Sequence, residues 1–318
     1  MTAIEATGLT KRYGRDVVAV DGLDLRVERG EIFGFLGPNG AGKSTTIDML
    51  LDFVRPTAGS ATVLGHDVTT ASEAVRERVG VLPDDYGLYD RLTGLEHLEY
   101  AIRLKDADDD PLSLLDRVGL DERAGRRHAG DYSTGMTQRL VLSIALVGDP
   151  DLLILDEPSS GLDPNGVRLV RDIARETAAD GGTVFFSSHI LPQVEAVCDR
   201  VAILDRGRLV AVDTIDGLRD SLDTGSIISV TVDAIPPVLD VRDIDGVSAV
   251  TVEDRTLTAT VRTPEGKLAV IDELRDAGAS VLDFSTTEAS LEELFQAYTG
   301  DSTESPADTT SDTTEASR

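Results

Sequence analysis

The segment IFGFLGPNGAGKST limits the possible folds more than any other part of this chain. An apolar, strand-like run ends at Gly37, and Gly37-Pro38-Asn39-Gly40-Ala41-Gly42-Lys43-Ser44 follows, with Thr45 opening the helical pattern STTIDMLLDF. This is the G-x-x-x-x-G-K-[ST] loop in the order strand, loop, helix. Its glycines let the backbone wrap a polyphosphate so that several N–H groups point inward. Lys43 is placed to reach the β- and γ-phosphates, and the Ser44 hydroxyl to bind Mg²⁺. Strand-like and helix-like patterns alternate from residue 1 to about 222, which predicts an α/β fold.

Two further segments place polar groups where such a loop needs them. In DLLILDEPSSGLD, a continuous apolar run reads as a parallel strand covered on both faces, and it stops at Asp156-Glu157. Adjacent carboxylates at a buried strand end are costly unless they are paired or face a cation. Ligands of open α/β sheets bind at this carboxyl end. Asp156 is expected to hold Mg²⁺ through its water shell, and Glu157 to accept a proton from, or orient, an attacking water. In TVFFSSHILPQ, His189 directly follows another buried strand and is expected to contact the γ-phosphate. YSTGMTQRL, residues 132–140, holds no obvious catalytic group. Ser133 and Gly135 there open a helix whose unpaired N–H groups and dipole attract an anion, a second such site in the chain.

Together these segments resemble the ATP-binding subunit of ABC transporters, a likeness that covers residues 4–215. The resemblance implies a P-loop NTPase core of ABC type with a helical subdomain, using ATP and Mg²⁺. It implies that YSTGMTQRL is the signature sequence, that SSGLD with Asp163 is the D-loop, and that Tyr13 in LTKRYG stacks on adenine. It also implies a head-to-tail dimer, with a second copy or a paralogous ATP-binding subunit, in which Ser133 and Gly135 complete the partner's nucleotide site. Closure and reopening of that dimer would drive a separate multi-spanning permease, with this chain peripheral on the cytoplasmic face of the membrane. There are departures: Thr134 and Met136 stand where the signature usually has glycine and glutamine, and Asp84 stands where a glutamine usually contacts Mg²⁺. A carboxylate can ligand Mg²⁺ directly, so Asp84 is a candidate metal contact. The wording LPDDYGLYDRLT and the ending SLEELFQAYTG look most like ABC-2 type exporters of drugs, sodium or antibiotics.

Residues 225–299 read as a small α+β domain, with strands in SIISVTVD, AVTVED, LTATVR and ASVLDF and a helix in PEGKLAVIDELRDAG. A last helix, SLEELFQAY, opens with Ser290 and Glu293 at capping-box spacing. The acidic tail 300–318 has no large apolar residue and is expected to be disordered.

Composition restricts the partners. The chain of 318 residues carries a formal net charge of −28, which repels nucleic acid and disfavours it as a partner. Its Asp-rich, Lys-poor, Trp-free make-up points to concentrated salt, where screening mutes self-repulsion. Stability should therefore be higher in molar than in dilute salt, and equal midpoints of thermal unfolding would contradict that. The single cysteine, Cys198, excludes an internal disulfide and fits a reducing compartment. MTAIEATGLTKRYG has no hydrophobic signal region, and no apolar run approaches the ~20 residues of a membrane span.

Two other functional classes are compatible with a phosphate-binding loop. A non-transport relative acting on DNA or ribosomes is disfavoured by the short interval between loop and signature, the lack of sustained heptads and the single set of motifs. A nucleotide-binding regulator without turnover is opposed by Glu157 and His189, while Asp84 keeps it open.

Overall fold

The computed structural model describes residues 1–221, 226–236, 239–241, 244–287 and 290–299. The tail 300–318 and the junction 222–225 lie outside the described residues.

Chain order runs β1 (Thr2–Tyr13), β2 (Val17–Glu28), β3 (Ile32–Leu36), α1 (Lys43–Leu50), β4 (Ala58–Val63), β5 (His66–Asp67), α2 (Ser72–Arg78) and β6 (Val79–Leu82). Four helices then precede the next strand: α3 (Gly94–Lys105), α4 (Pro111–Arg117), α5 (Glu122–Gly125) and α6 (Thr134–Ala145). They are the helical subdomain. β7 (Leu152–Asp156), α7 (Pro164–Ala179), β8 (Thr183–Ser188), α8 (Leu191–Glu195), β9 (Arg200–Asp205), β10 (Arg208–Asp213) and α9 (Ile215–Ser221) complete the larger part.

The central sheet has the order β10-β9-β3-β8-β7-β6, parallel except for β10. Its strands read as unbroken apolar runs because the two faces feed two cores. Leu153, Leu155, Val184 and Phe186 join the core shared with the helices. Their strand neighbours Leu152, Ile154 and Phe185, with Phe33 and Phe35, join the core under the antiparallel sheet β2-β1-β4-β5. Period-2 alternation therefore persists although every position is buried. The register sets Asp156 opposite Ser187 and Leu36 opposite Ser188, so the ends of β3, β8 and β7 lie side by side.

After the junction come β11 (Ser226–Val232), β12 (Val247–Glu253), β13 (Thr256–Val261), α10 (Pro264–Asp276), β14 (Val281–Thr287) and α11 (Leu291–Thr299). The sheet order is β12-β13-β11-β14. Ile228, Val230, Leu257 and Ala259 face Val270 and Leu274 of α10 in a separate core. The opposite face carries hydroxyls, with Ser229 against Thr258 at 3.2 Å and Thr231 against Thr256 at 3.1 Å.

The last helix departs from the sequence-based grouping. Its capping box forms, with the Ser290 N–H donating to Glu293 at 2.8 Å and the Glu293 N–H to Ser290 Oγ at 3.3 Å. Leu291, Leu294, Phe295 and Tyr298 make an i, i+3, i+4, i+7 stripe. That stripe packs on the core of the larger part, with Leu191, Val194 and Leu218, and not on the core of the small sheet. The unit read as 225–299 is thus a sheet with one covering helix, clipped back to its neighbour by α11. Burying Leu291 and Leu294 stabilises this clip by roughly 1.5–3 kcal/mol each. The helical pattern STTIDMLLDF also ends early: α1 stops at Leu50, and Asp52 turns to φ 58°.

Candidate functional site

The glycine loop joins the end of β3 to α1. Gly42 caps α1 at φ 107°, and a Cβ there would lie 2.4 Å from the Ala19 carbonyl oxygen. A Cβ on Gly37 would lie 2.5 Å from the Leu204 carbonyl oxygen. Neither site accepts a side chain, so the loop keeps the tight path that a phosphate-wrapping backbone requires. Lys43 is 6% exposed, and its Nζ donates to the Gly37 carbonyl at 2.7 Å.

The carboxylates meet the loop from β7. Asp156 is 4% exposed and its Oδ1 has no hydrogen-bond partner. Its carboxyl lies above the usual carboxylate range, chiefly through burial. The nearby Ser187 and Ser44 hydroxyls pull it down, while the charges of Asp84 and Glu157 push it up. The structure thereby brings together Ser44, Asp84 and Asp156, three residues far apart in sequence. An orphaned buried carboxylate oxygen beside a hydroxyl fits a hard cation. Among the described residues, no group of three or more His, Cys, Asp or Glu side chains is arranged to hold a metal alone. A cation here therefore needs phosphate oxygens and water as further ligands, the usual habit of Mg²⁺.

Glu157 takes φ 47°, a left-handed conformation that costs a non-glycine residue about 1–2 kcal/mol. Contacts on both sides hold it there. Its Oε1 lies 3.3 Å from Lys43 Nζ, and its Oε2 lies 2.8 Å from His189 Nδ1. An ionised Glu157 can only accept, so the proton of the second bond is assigned to His189 Nδ1. Longer bonds from the Ser188 hydroxyl and the His189 N–H, both 3.4 Å, reach the same oxygen. The serines of the SSH segment were not singled out in the sequence, although two hydroxyls before a strand-end histidine were there to be read.

A cleft of about 380 Å³ opens at this end of the sheet. Tyr13, Pro38, Asn39, Gly40, Gly42, Lys43, Ser44, Thr45, Asp84 and Glu157 border it, with Val17, Val18 and Ala19. Ala41 is 2% exposed and turns inward, its carbonyl accepting from the Gly207 N–H at 2.8 Å.

Ser133, Gly135 and Asp163 border a different cleft, of about 680 Å³, which shares no lining residue with the first. Both polar members are helix caps. The Ser133 hydroxyl accepts from the Met136 N–H at 3.4 Å, opening α6, and Asp163 accepts from the Gly166 N–H at 2.8 Å, opening α7. Gln138, unremarked in the sequence, donates to the Pro158 carbonyl at 2.8 Å and ties the start of α6 to the turn just after Glu157. One cleft has a lysine, glycine amides and carboxylates for a metal-bound triphosphate. The other has a helix start whose N–H groups and dipole suit an anion, and it lies apart from the phosphate loop of its own chain.

Known proteins are similar to this chain in sequence and fold. A family model described as ABC transporter matches residues 20–160. The daunorubicin/doxorubicin resistance ATP-binding protein DrrA of Streptomyces peucetius is 43% identical over 225 residues, 69% of this chain and 68% of DrrA. A fluoroquinolones export ATP-binding protein of Mycobacterium tuberculosis is 43% identical over 213 residues, 66% of this chain and 70% of the relative. Among solved structures, an ATP-binding subunit of an ABC transporter superposes with a TM-score of 0.64 at 31% identity, covering 70% of this chain and 93% of that one. No helix among the described residues is long and apolar enough to cross a membrane. The chain belongs to the ATP-binding subunits of ABC transporters, which bind and hydrolyse ATP.

Proposed function

We propose that this chain is the ATP-hydrolysing subunit of an ABC-2 type exporter, closing head to tail with a second copy or a paralogue around two ATP molecules. The observation that carries this reading is the separation of the two clefts: Ser133 and Gly135 border one, Lys43 and Ser44 the other. A single chain offers its signature to solvent, and only a second chain can bring such a helix start to the γ-phosphate.

Within each composite site the loop amides and Lys43 hold the β- and γ-phosphates, and Tyr13 carries the adenine. Ser44, Asp156 and Asp84 would hold Mg²⁺, which would supply positive charge to offset that of the phosphate oxygens. Glu157 orients the attacking water and takes its proton. His189 fixes the Glu157 carboxylate through Nδ1 and contacts the γ-phosphate. The partner's Ser133–Gly135 helix start adds N–H groups and a dipole where charge develops. ATP thus holds the dimer closed, and hydrolysis releases it. That cycle is passed to a multi-spanning permease, with the chain peripheral on the cytoplasmic face. The small sheet at 226–287 is an accessory unit, and the acidic surface is suited to concentrated salt.

Replacing Ser133 by Arg tests the shared interface. ATP binding by the single chain should persist, because the phosphate cleft is untouched, while dimer formation with ATP and Mg²⁺ in sedimentation should disappear. A Ser133→Arg protein that dimerises normally would overturn the head-to-tail reading.

A further inference from the structure

Of the 30 basic residues only four are lysines. Three belong to the larger part, and each points its ammonium at main-chain carbonyls. Lys43 meets Gly37 in the phosphate loop. Lys105 donates to Val79 and Val147, each at 3.1 Å, and joins the start of β6 to the turn that follows α6. Lys11 donates to the Arg55 carbonyl at 2.7 Å, and the roles described so far do not account for it.

Lys11 Nζ also lies 5.0 Å from the centroid of the Tyr13 ring. The ladder between β1 and β2 shifts register between Lys11 and Arg12, where Ala19 of β2 is the extra residue. The anchor itself is fastened. The Thr57 N–H donates to the Thr10 carbonyl at 2.8 Å, and the Arg12 N–H donates to the Thr57 hydroxyl at 3.0 Å. Tyr13 borders the nucleotide cleft, whereas Lys11 does not, so the ammonium reaches the ring without lining the cleft itself.

We infer that Lys11 is a positioning residue for nucleotide binding: tied to the Arg55 carbonyl, it holds the Tyr13 ring as a fixed, electron-poor platform for the adenine. This rests on the reading that Tyr13 takes the base. Tyr13 is 44% exposed, so its ring is only partly enclosed by the fold. A cation over one face draws π density toward itself, which lessens the repulsion between stacked faces on the other side. A ring already held in place also loses less freedom when the base arrives.

The test is a set of equilibrium titrations on the full chain, with ATP and with tripolyphosphate as the probe lacking a base. Lys11→Met should weaken ATP by about two- to fivefold, the weight of an exposed cation–π contact, and leave tripolyphosphate unchanged. Lys11→Arg should keep most of the affinity, because the charge over the ring remains. Tyr13→Ala should weaken ATP by about tenfold, and adding Lys11→Met to it should change nothing further. If Tyr13→Ala leaves ATP binding intact, the stacking reading itself fails. If Tyr13→Ala weakens ATP while Lys11→Met does not, the platform stands and the role given to Lys11 falls. Equal loss of ATP and tripolyphosphate in Lys11→Met, or an Arg variant as weak as the Met variant, would also overturn it.

Discussion

Glu157→Gln should bind ATP at least as well as the parent, hydrolyse it about 10²–10⁴ times more slowly, and collect as a nucleotide-bound dimer. The substitution keeps the shape and one acceptor oxygen for His189 Nδ1, which now lies 2.8 Å from the carboxylate. What it removes is the basicity needed to take a proton from water. It also removes a negative charge 3.3 Å from Lys43, freeing that ammonium for the phosphates. Steady-state phosphate release and size-exclusion chromatography with ATP and Mg²⁺ read both effects. Turnover at the parental rate would show that Glu157 is not the base.

Lys43→Ala should abolish tight ATP binding, a loss of about a hundredfold in an equilibrium titration, as expected for one buried, charge-assisted contact. Lys43 is almost wholly enclosed, so no water-borne cation can stand in for it at the same point. The substitution also strips the largely buried Glu157 of its neighbouring cation, leaving its carboxylate only the hydrogen bonds from His189 and Ser188, so thermal stability should fall as well. Glu157→Gln added to Lys43→Ala should restore stability but not ATP affinity, which separates the two losses. Unchanged affinity in a folded Lys43→Ala protein would contradict the phosphate-loop assignment.

What could be read from the sequence follows from how local each requirement is. Wrapping a phosphate chain takes consecutive amides, so Gly37 to Ser44 carry their geometry in their spacing, and Gly42 does adopt the positive φ its type suggests. Asp156-Glu157 and His189 are legible for a related reason: each ends an apolar run, and parallel strands bring their carboxyl ends to one edge of the sheet. Contacts between distant segments leave no such trace. Nothing in DEPSS announces that Glu157 will turn left-handed between Lys43 and His189, since the cause lies at the start of α1 and just after β8. The Gln138 bond to Pro158 is hidden in the same way. The stripe of α11 says that one face will be buried and not against what. Adjacency in sequence suggested the small sheet, whereas Leu291 and Leu294 went to the larger core.

The central claim is that the reaction centre is assembled from two chains. Analytical ultracentrifugation and ATPase assays on the same samples, across a wide range of protein concentration, test it most directly. The account predicts that activity per chain climbs with concentration in step with an ATP-dependent dimer. Constant activity per chain in a protein that sediments only as a monomer would contradict it.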